Sequence, residues 1–107
     1  MTTVTAASSS YAALAEPHRR AILDLLRAGE RSVGELVDSV RLSQPGVSKH
    51  LRVLREAGLV TARRDGKQRL YALDARPLAD VGAWLEPYRA YWSERLDALE
   101  RHLEDSP

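Results

Sequence analysis

The stretch that decides the fold is LSQPGVSKHLRVLREAGLV, residues 42–60. Ser43 is a favoured helix N-cap, and Pro45 falls in the first turn, where its missing N–H costs little. Val47, Leu51 and Leu54 follow at i, i+4 and i+7 and make an inward stripe. Ala57-Gly58 is a glycine stop signal. The opposite side carries Gln44, Ser48, Lys49, Arg52 and Arg55. A helix that only packs a core needs a solvated remainder, not a compact set of amide, hydroxyl and cationic groups.

Upstream, SVGELVDSV (32–40) opens on a capping box, Ser32 with Glu35 three residues on. Val33, Leu36, Val37 and Val40 supply its buried face. Two helices joined by a tight polar turn make a helix-turn-helix. Downstream, LVTARRDGKQRLYAL (59–73) reads as a hairpin. Val60, Ala62, Leu70 and Ala72 alternate with polar residues, around an Asp65-Gly66 turn. Two strands alone are marginal, so they must pack on the helices.

Further out, a helical signal runs from Ser10 to Ala15. Glu16-Pro17 opens a second helix with Ile22, Leu25 and Leu26 inward, stopping at Ala28-Gly29. From Pro77 to about Glu104 the pattern is helical again, marked by Trp84, Leu85, Tyr88, Trp92, Leu96, Leu99 and Leu103. Pro87 is predicted to kink this helix or break it near Ala83 to Glu86. The expected fold class is mainly α with a small β-hairpin: a winged helix-turn-helix dimerising through terminal helices. Residues 1–9 are read as a flexible tail and 10–104 as one domain, with 77–104 as its dimerisation helix.

Positions 92, 96, 99 and 103 alternate spacings of four and three, as in a coiled-coil seam. Two tryptophans and two tyrosines fall within the nine residues Trp84 to Trp92, and some of these must pack on the domain's own core. The rest of the seam has few partners left within the chain. A second copy is therefore the expected one, through Leu85, Tyr88, Trp92, Leu96, Leu99 and Leu103. The alternative is a monomer whose last helix folds back on the first.

Composition narrows the function. The 107 residues contain no cysteine, which excludes disulfides, thiolate metal sites and cysteine nucleophiles. There is no Gly-rich phosphate loop, nucleophile elbow or HExxH. Glu94, Asp97, Glu100 and Glu104 lie on one helix beside Arg95 and Arg101, a solvated face. No enzyme is expected. The start, MTTVTAASSS, has neither a basic n-region nor a long apolar run, so a cytoplasmic chain with no membrane partner is expected.

The net charge of +1 hides an asymmetry. Residues 41–76 hold nine cations (Arg41, Lys49, Arg52, Arg55, Arg63, Arg64, Lys67, Arg69, Arg76) against three acids (Glu56, Asp65, Asp74), a local charge of +6. The rest of the chain is net negative. One basic block on a nearly neutral chain suits a polyanion, double-stranded DNA above all.

The opening helix fits a major groove. Gln44, Ser48 and Lys49 are expected near base edges, where Gln suits adenine and Lys guanine. Ser43, Arg52 and Arg55 are expected nearer the backbone. Gly46 allows close approach, and the helix N-terminal N–H groups favour a phosphate oxygen. Arg63, Arg64, Lys67, Gln68 and Arg69 surround the hairpin tip and can reach phosphates or the minor groove. The same cations also discourage edge-strand aggregation. His50 is placed at the boundary of the buried stripe, packing or bonding a phosphate. Neither His18 nor His102 shows metal-ligand spacing. No metal and no cofactor are expected.

LAEPHRRAILDLL, LSQPGVSKHLRVLREAGLV, RRDGKQRLYAL and WLEPYRAYWSERLDALE together resemble the ArsR/SmtB-type winged-helix repressors of bacteria and archaea, over about Leu14 to Leu103. The resemblance implies that fold, dimerisation through terminal helices, and operator binding by Gln44, Ser48 and Lys49 with a wing around Lys67. The family's best-known members sense metals. Their thiolate site falls on Ser32 to Val40, which has no cysteine. Their other common site falls on the last helix at Asp80, Gly82, Ser93 and Leu96, which cannot build it. The chain thus resembles a branch that does not sense metals.

The expected function is a homodimeric, sequence-specific repressor at a near-palindromic operator. Two rivals stand beside it: a ligand- or metal-gated repressor, and a protein-interaction module whose basic face is incidental.

Overall fold

The computed structural model describes residues 6–105. Five helices and three short strands follow in the order α1 (Ala6–Leu14), α2 (Pro17–Arg27), β1 (Arg31–Ser32), α3 (Val33–Val40), α4 (Gln44–Glu56), β2 (Val60–Asp65), β3 (Gln68–Leu73) and α5 (Leu78–Asp105). Helix α1 starts earlier than expected, so residues 6–9 belong to it and not to a tail. The remainder of the expected tail lies outside the described residues.

Local capping works as the sequence specifies. Glu16 caps α2 by accepting the Arg19 N–H at 3.0 Å. Ser32 Oγ accepts the Glu35 N–H at 3.2 Å while the Glu35 carboxylate accepts the Ser32 N–H at 3.0 Å, closing the capping box. At the end of α4 the Leu59 N–H reaches the Leu54 carbonyl and the Gly58 N–H the Arg55 carbonyl. This Schellman closure needs the left-handed backbone of Gly58, φ +78°. It also stacks Leu54 on Leu59, both fully buried.

The core gathers Ile22, Leu23 and Leu26 of α2, Leu36 of α3, and Val47, Leu51 and Leu54 of α4, under Leu59, Val60 and Tyr71. In α2 the buried residue is Leu23 and not the expected Leu25, which is only partly covered.

The wing is a three-stranded antiparallel sheet in the order β1-β3-β2, not an isolated hairpin. Arg31 pairs with Tyr71 and Ser32 with Leu70. Asp65 pairs with Gln68, so the two-residue loop is Gly66-Lys67, with φ +63° at Gly66. Glycine at the first loop position is the II′ pattern. A two-residue loop sets even positions of one strand opposite odd positions of the other. Val60 therefore faces Leu73, and Ala62 faces Tyr71. Tyr71 is the buried residue of β3, and Leu70 and Ala72 turn to the other face, which corrects the expected alternation.

Helix α5 is one uninterrupted element with Pro87 inside it, so the expected break does not occur. Asp74 fixes the approach to it. Its carboxylate accepts from the Arg76 backbone N–H at 3.1 Å and from Arg76 Nη2 at 2.7 Å. The Arg76 guanidinium, aided by that backbone bond, holds the Asp74 carboxyl down to about 2. Helix α5 packs on α1 through its first turns and buries no residue of its own. Trp84 meets the Tyr11 ring edge-on at 5.9 Å, and neither reaches the core. The aromatic load expected inside is thus outside. The radius of gyration, 18.2 Å, exceeds the roughly 13 Å of a closed domain of this length, because α5 projects from the body.

Candidate nucleic-acid interface

Helix α4 divides cleanly. Val47, Leu51 and Leu54 are buried, and Gln44, Ser48, Lys49, Arg52 and Arg55 are all exposed. Contacts to α2, α3 and β2 hold the inner stripe, so the outer side chains are presented on a fixed axis. Among the described residues Lys49, Arg52 and Arg55 have no acidic partner.

The N-terminus of α4 differs from expectation. Ser43 Oγ accepts the Gly46 N–H at 3.1 Å, the Val47 N–H goes to the Ser43 carbonyl, and Pro45 has none. Among the first three residues of α4, Gln44 alone keeps an N–H that these bonds do not use. Ser43 can still donate its hydroxyl proton outward. A Cβ at Gly46 would stand 3.2 Å from Ser43 Oγ, a close approach that the serine side chain would have to relieve by a few tenths of an ångström. The turn before it is held by Arg41, which caps α3 in the left-handed conformation, φ 58°, with its N–H on the Val37 carbonyl.

In the wing the expected residues separate. Arg63 Nε and Nη2 donate to the two oxygens of Glu30 at 2.8 and 2.9 Å, a bidentate clamp to the loop before β1. The hydrogen bond to Glu30 raises the Arg63 pKa, and the reciprocal bond lowers that of Glu30. Arg63 is therefore committed to the fold. Arg64 and Arg69 stand directly opposite each other across the hairpin, and Lys67 is at its tip. All are exposed, and none has an acidic partner among the described residues. Like charges directly opposed destabilise a strand pair, and an external anion relieves that cost. Gln68 and Arg69 line one cleft with Gln44 and with Ser32, Val33 and Gly34 at the start of α3. The tertiary structure thus brings the first residue of α4 beside the wing, while Arg52 and Arg55 lie further along α4.

Two clusters were not legible in the sequence. One is the Glu30–Arg63 clamp. The other joins Glu16, His18 and His50, which offer one ligand atom each within 4.8 Å of one another. His50 is held at the edge of the core, as expected, but its neighbours are Glu16, Arg19 and His18. Burial lowers the His50 pKa, with Arg19 and His18 adding to it against the attraction of Glu16, so the ring is neutral near pH 7. Residues 16 and 50 are too far apart in sequence for any spacing rule to pair them.

On α5, Tyr88, Trp92, Leu96, Leu99 and Leu103 are exposed and Leu85 is half-buried. Tyr91, which the heptad spacing does not mark, is also exposed, with the Arg95 guanidinium 4.8 Å over its ring. No helix among the described residues is long and apolar enough to cross a membrane.

Solved structures of similar proteins share the fold. The sequence profile of the family described as "Bacterial regulatory protein, arsR family" matches residues 16–62. The HTH-type transcriptional repressor SmtB of Mycobacterium tuberculosis is 46% identical over 76 residues, 71% of this chain; the chain spans 56% of that relative's length. The HTH-type transcriptional regulator Rv2034 of the same species is 38% identical over 96 residues, covering 90% of this chain and 87% of the relative. An ArsR-like transcriptional regulator from Rhodococcus sp. RHA1 superposes with a TM-score of 0.68 at 29% identity, over 94% of this chain and 95% of that one. With the matched profile covering α2 to β2, and Rv2034 aligned over nearly its full length, the chain belongs to the ArsR family of bacterial regulatory proteins.

Proposed function

We propose that the chain is a sequence-specific repressor that binds double-stranded DNA as a homodimer. The observation that carries this is the two-sided α4, with Val47, Leu51 and Leu54 locked in the core and Gln44, Ser48, Lys49, Arg52 and Arg55 exposed on the outside. Gln44, Ser48 and Lys49 reach base edges. Arg52, Arg55 and the wing cations Arg64, Lys67 and Arg69 neutralise phosphates. Repression is supported by similarity to repressors such as SmtB. The projecting apolar face of α5 supports a second copy, which would place two recognition helices on successive turns of one duplex. A cytoplasmic setting follows from that target.

The test is a mobility shift on the chain's own upstream region and on random DNA. Gln44→Ala and Lys49→Ala should each weaken specific binding by about 1–3 kcal/mol for the base pair no longer read and leave random DNA nearly unchanged. Equal losses on both DNAs would refute base reading. No shift on either would favour the protein-interaction rival.

A further inference from the structure

We propose that Glu16, His18 and His50 form a site for one divalent transition-metal ion of the zinc type, tying the start of α2 to the middle of α4. The site is separate from both stretches, 32–40 and the last helix, where resemblance to metal-sensing relatives would place one.

The fold brings two imidazole rings to one carboxylate. Glu16 Oε1 lies 2.9 Å from His18 Nδ1, and Glu16 Oε2 lies 3.8 Å from His50 Nε2. In a tetrahedral zinc site with bonds near 2.0–2.1 Å, neighbouring ligand atoms stand about 3.3 Å apart. These two separations straddle that value, and all three ligand atoms lie within 4.8 Å of one another, so side-chain rotations must draw them together around an ion. The His18 and His50 rings are nearly parallel, 19° between planes with centroids 5.8 Å apart, and both approach the same carboxylate. Two imidazoles and a carboxylate are a donor set zinc uses, and three protein ligands leave a fourth position for water.

Access and rigidity agree. The His18 side chain is 48% exposed and lines an open cleft with Ala21, Asp24, Leu25, Ser39 and Val40, while His50 is only 18% exposed. His18 is therefore the ligand open to solvent, and His50 the one held at the edge of the core. The Arg19 guanidinium lies 3.5 Å from His50 Nδ1 and can only donate, so that contact requires the tautomer with its proton on Nε2. Coordination through Nε2 moves that proton to Nδ1 and ends the Arg19 contact. Arg19 also holds the α1 carbonyls of Ala12 and Ala13. Metal occupancy is thereby linked to α1 on one side. On the other it is linked to Lys49, the exposed neighbour of His50.

The test uses the untagged, metal-free full chain titrated with Co2+, whose visible absorption reports four-coordinate geometry, followed by displacement with Zn2+. The expected result is one Co2+ per chain, displaced by Zn2+, with affinity falling at least tenfold in His18→Ala and in Glu16→Gln. His102→Ala, on the far end of α5, should leave it unchanged. His18 is exposed enough that its variant keeps the fold, which circular dichroism checks. Unaltered Co2+ binding in His18→Ala, loss in His102→Ala, or no saturable binding would each overturn the assignment. None of these readouts involves DNA, so they stand or fall apart from operator reading.

Discussion

Replacing Leu96 and Leu103 together by glutamine should convert a dimer to monomers. These leucines are 64% and 65% exposed in the single chain, so a seam covering both removes slightly more than one leucine side chain per protomer from water. Full burial of one leucine stabilises by roughly 1.5–3 kcal/mol, which makes the loss about 2–4 kcal/mol per protomer. A two-fold interface doubles it to about 4–8 kcal/mol, at least a thousandfold or so in Kd. Glutamine keeps the helix propensity of leucine, and neither residue touches the core, so the fold of each protomer should persist. Sedimentation velocity over a concentration series reads the dissociation constant directly. On DNA, the variant should lose affinity for a two-half-site operator and keep weak binding to a half-site. If the variant sediments as wild type does, the seam is not the interface. If the wild-type chain is itself monomeric at high concentration, the reasoning from exposed apolar surface fails outright.

The wing gives a sharper division than its composition suggests. Arg64→Ala or Lys67→Ala should weaken binding to all sequences alike and reduce the salt slope by about one for each phosphate no longer neutralised. Arg63→Ala should leave the slope nearly unchanged and cost little stability, as expected for an exposed pair with Glu30; a full unit removed from the slope would place Arg63 on the DNA after all. Arg41→Gly should raise stability in chemical denaturation by about 0.5–1 kcal/mol, since the left-handed conformation costs a non-glycine residue more than glycine's extra entropy. An Arg41→Gly chain less stable than wild type would show that the arginine side chain contributes an interaction outweighing that strain.

Much of the molecule is governed by rules that act within a turn or two of chain. Ser32 and Glu35, Ser43 with Gly46, and Ala57-Gly58 terminate their helices because the groups they satisfy lie at most five residues away. The stripe Val47, Leu51, Leu54 and its polar opposite face follow from helical periodicity alone, so the exposed part of the candidate interface was readable residue by residue. At Pro87 such rules leave a kink or a break open, and α5 runs through it without a break.

What the sequence by itself determined, then, is which stretches carry a helix, how α2, α3 and α4 are capped, and which side of α4 is polar. Tertiary structure decided whatever depends on two distant segments meeting. Strand β1 is two residues long and has no periodicity; it exists because Tyr71 and Leu70 pair with Arg31 and Ser32. The phase of β3 depends on which two residues form the loop, and a shift of one exchanges the faces. Arg63 reads like Arg64 until Glu30 arrives from 33 residues away. Glu16 and His18 become ligand candidates only when packing of α2 on α4 delivers His50. Local hydrogen bonds and periodicity are encoded at short range. Electrostatic and coordination partners are chosen by packing, which no local window contains.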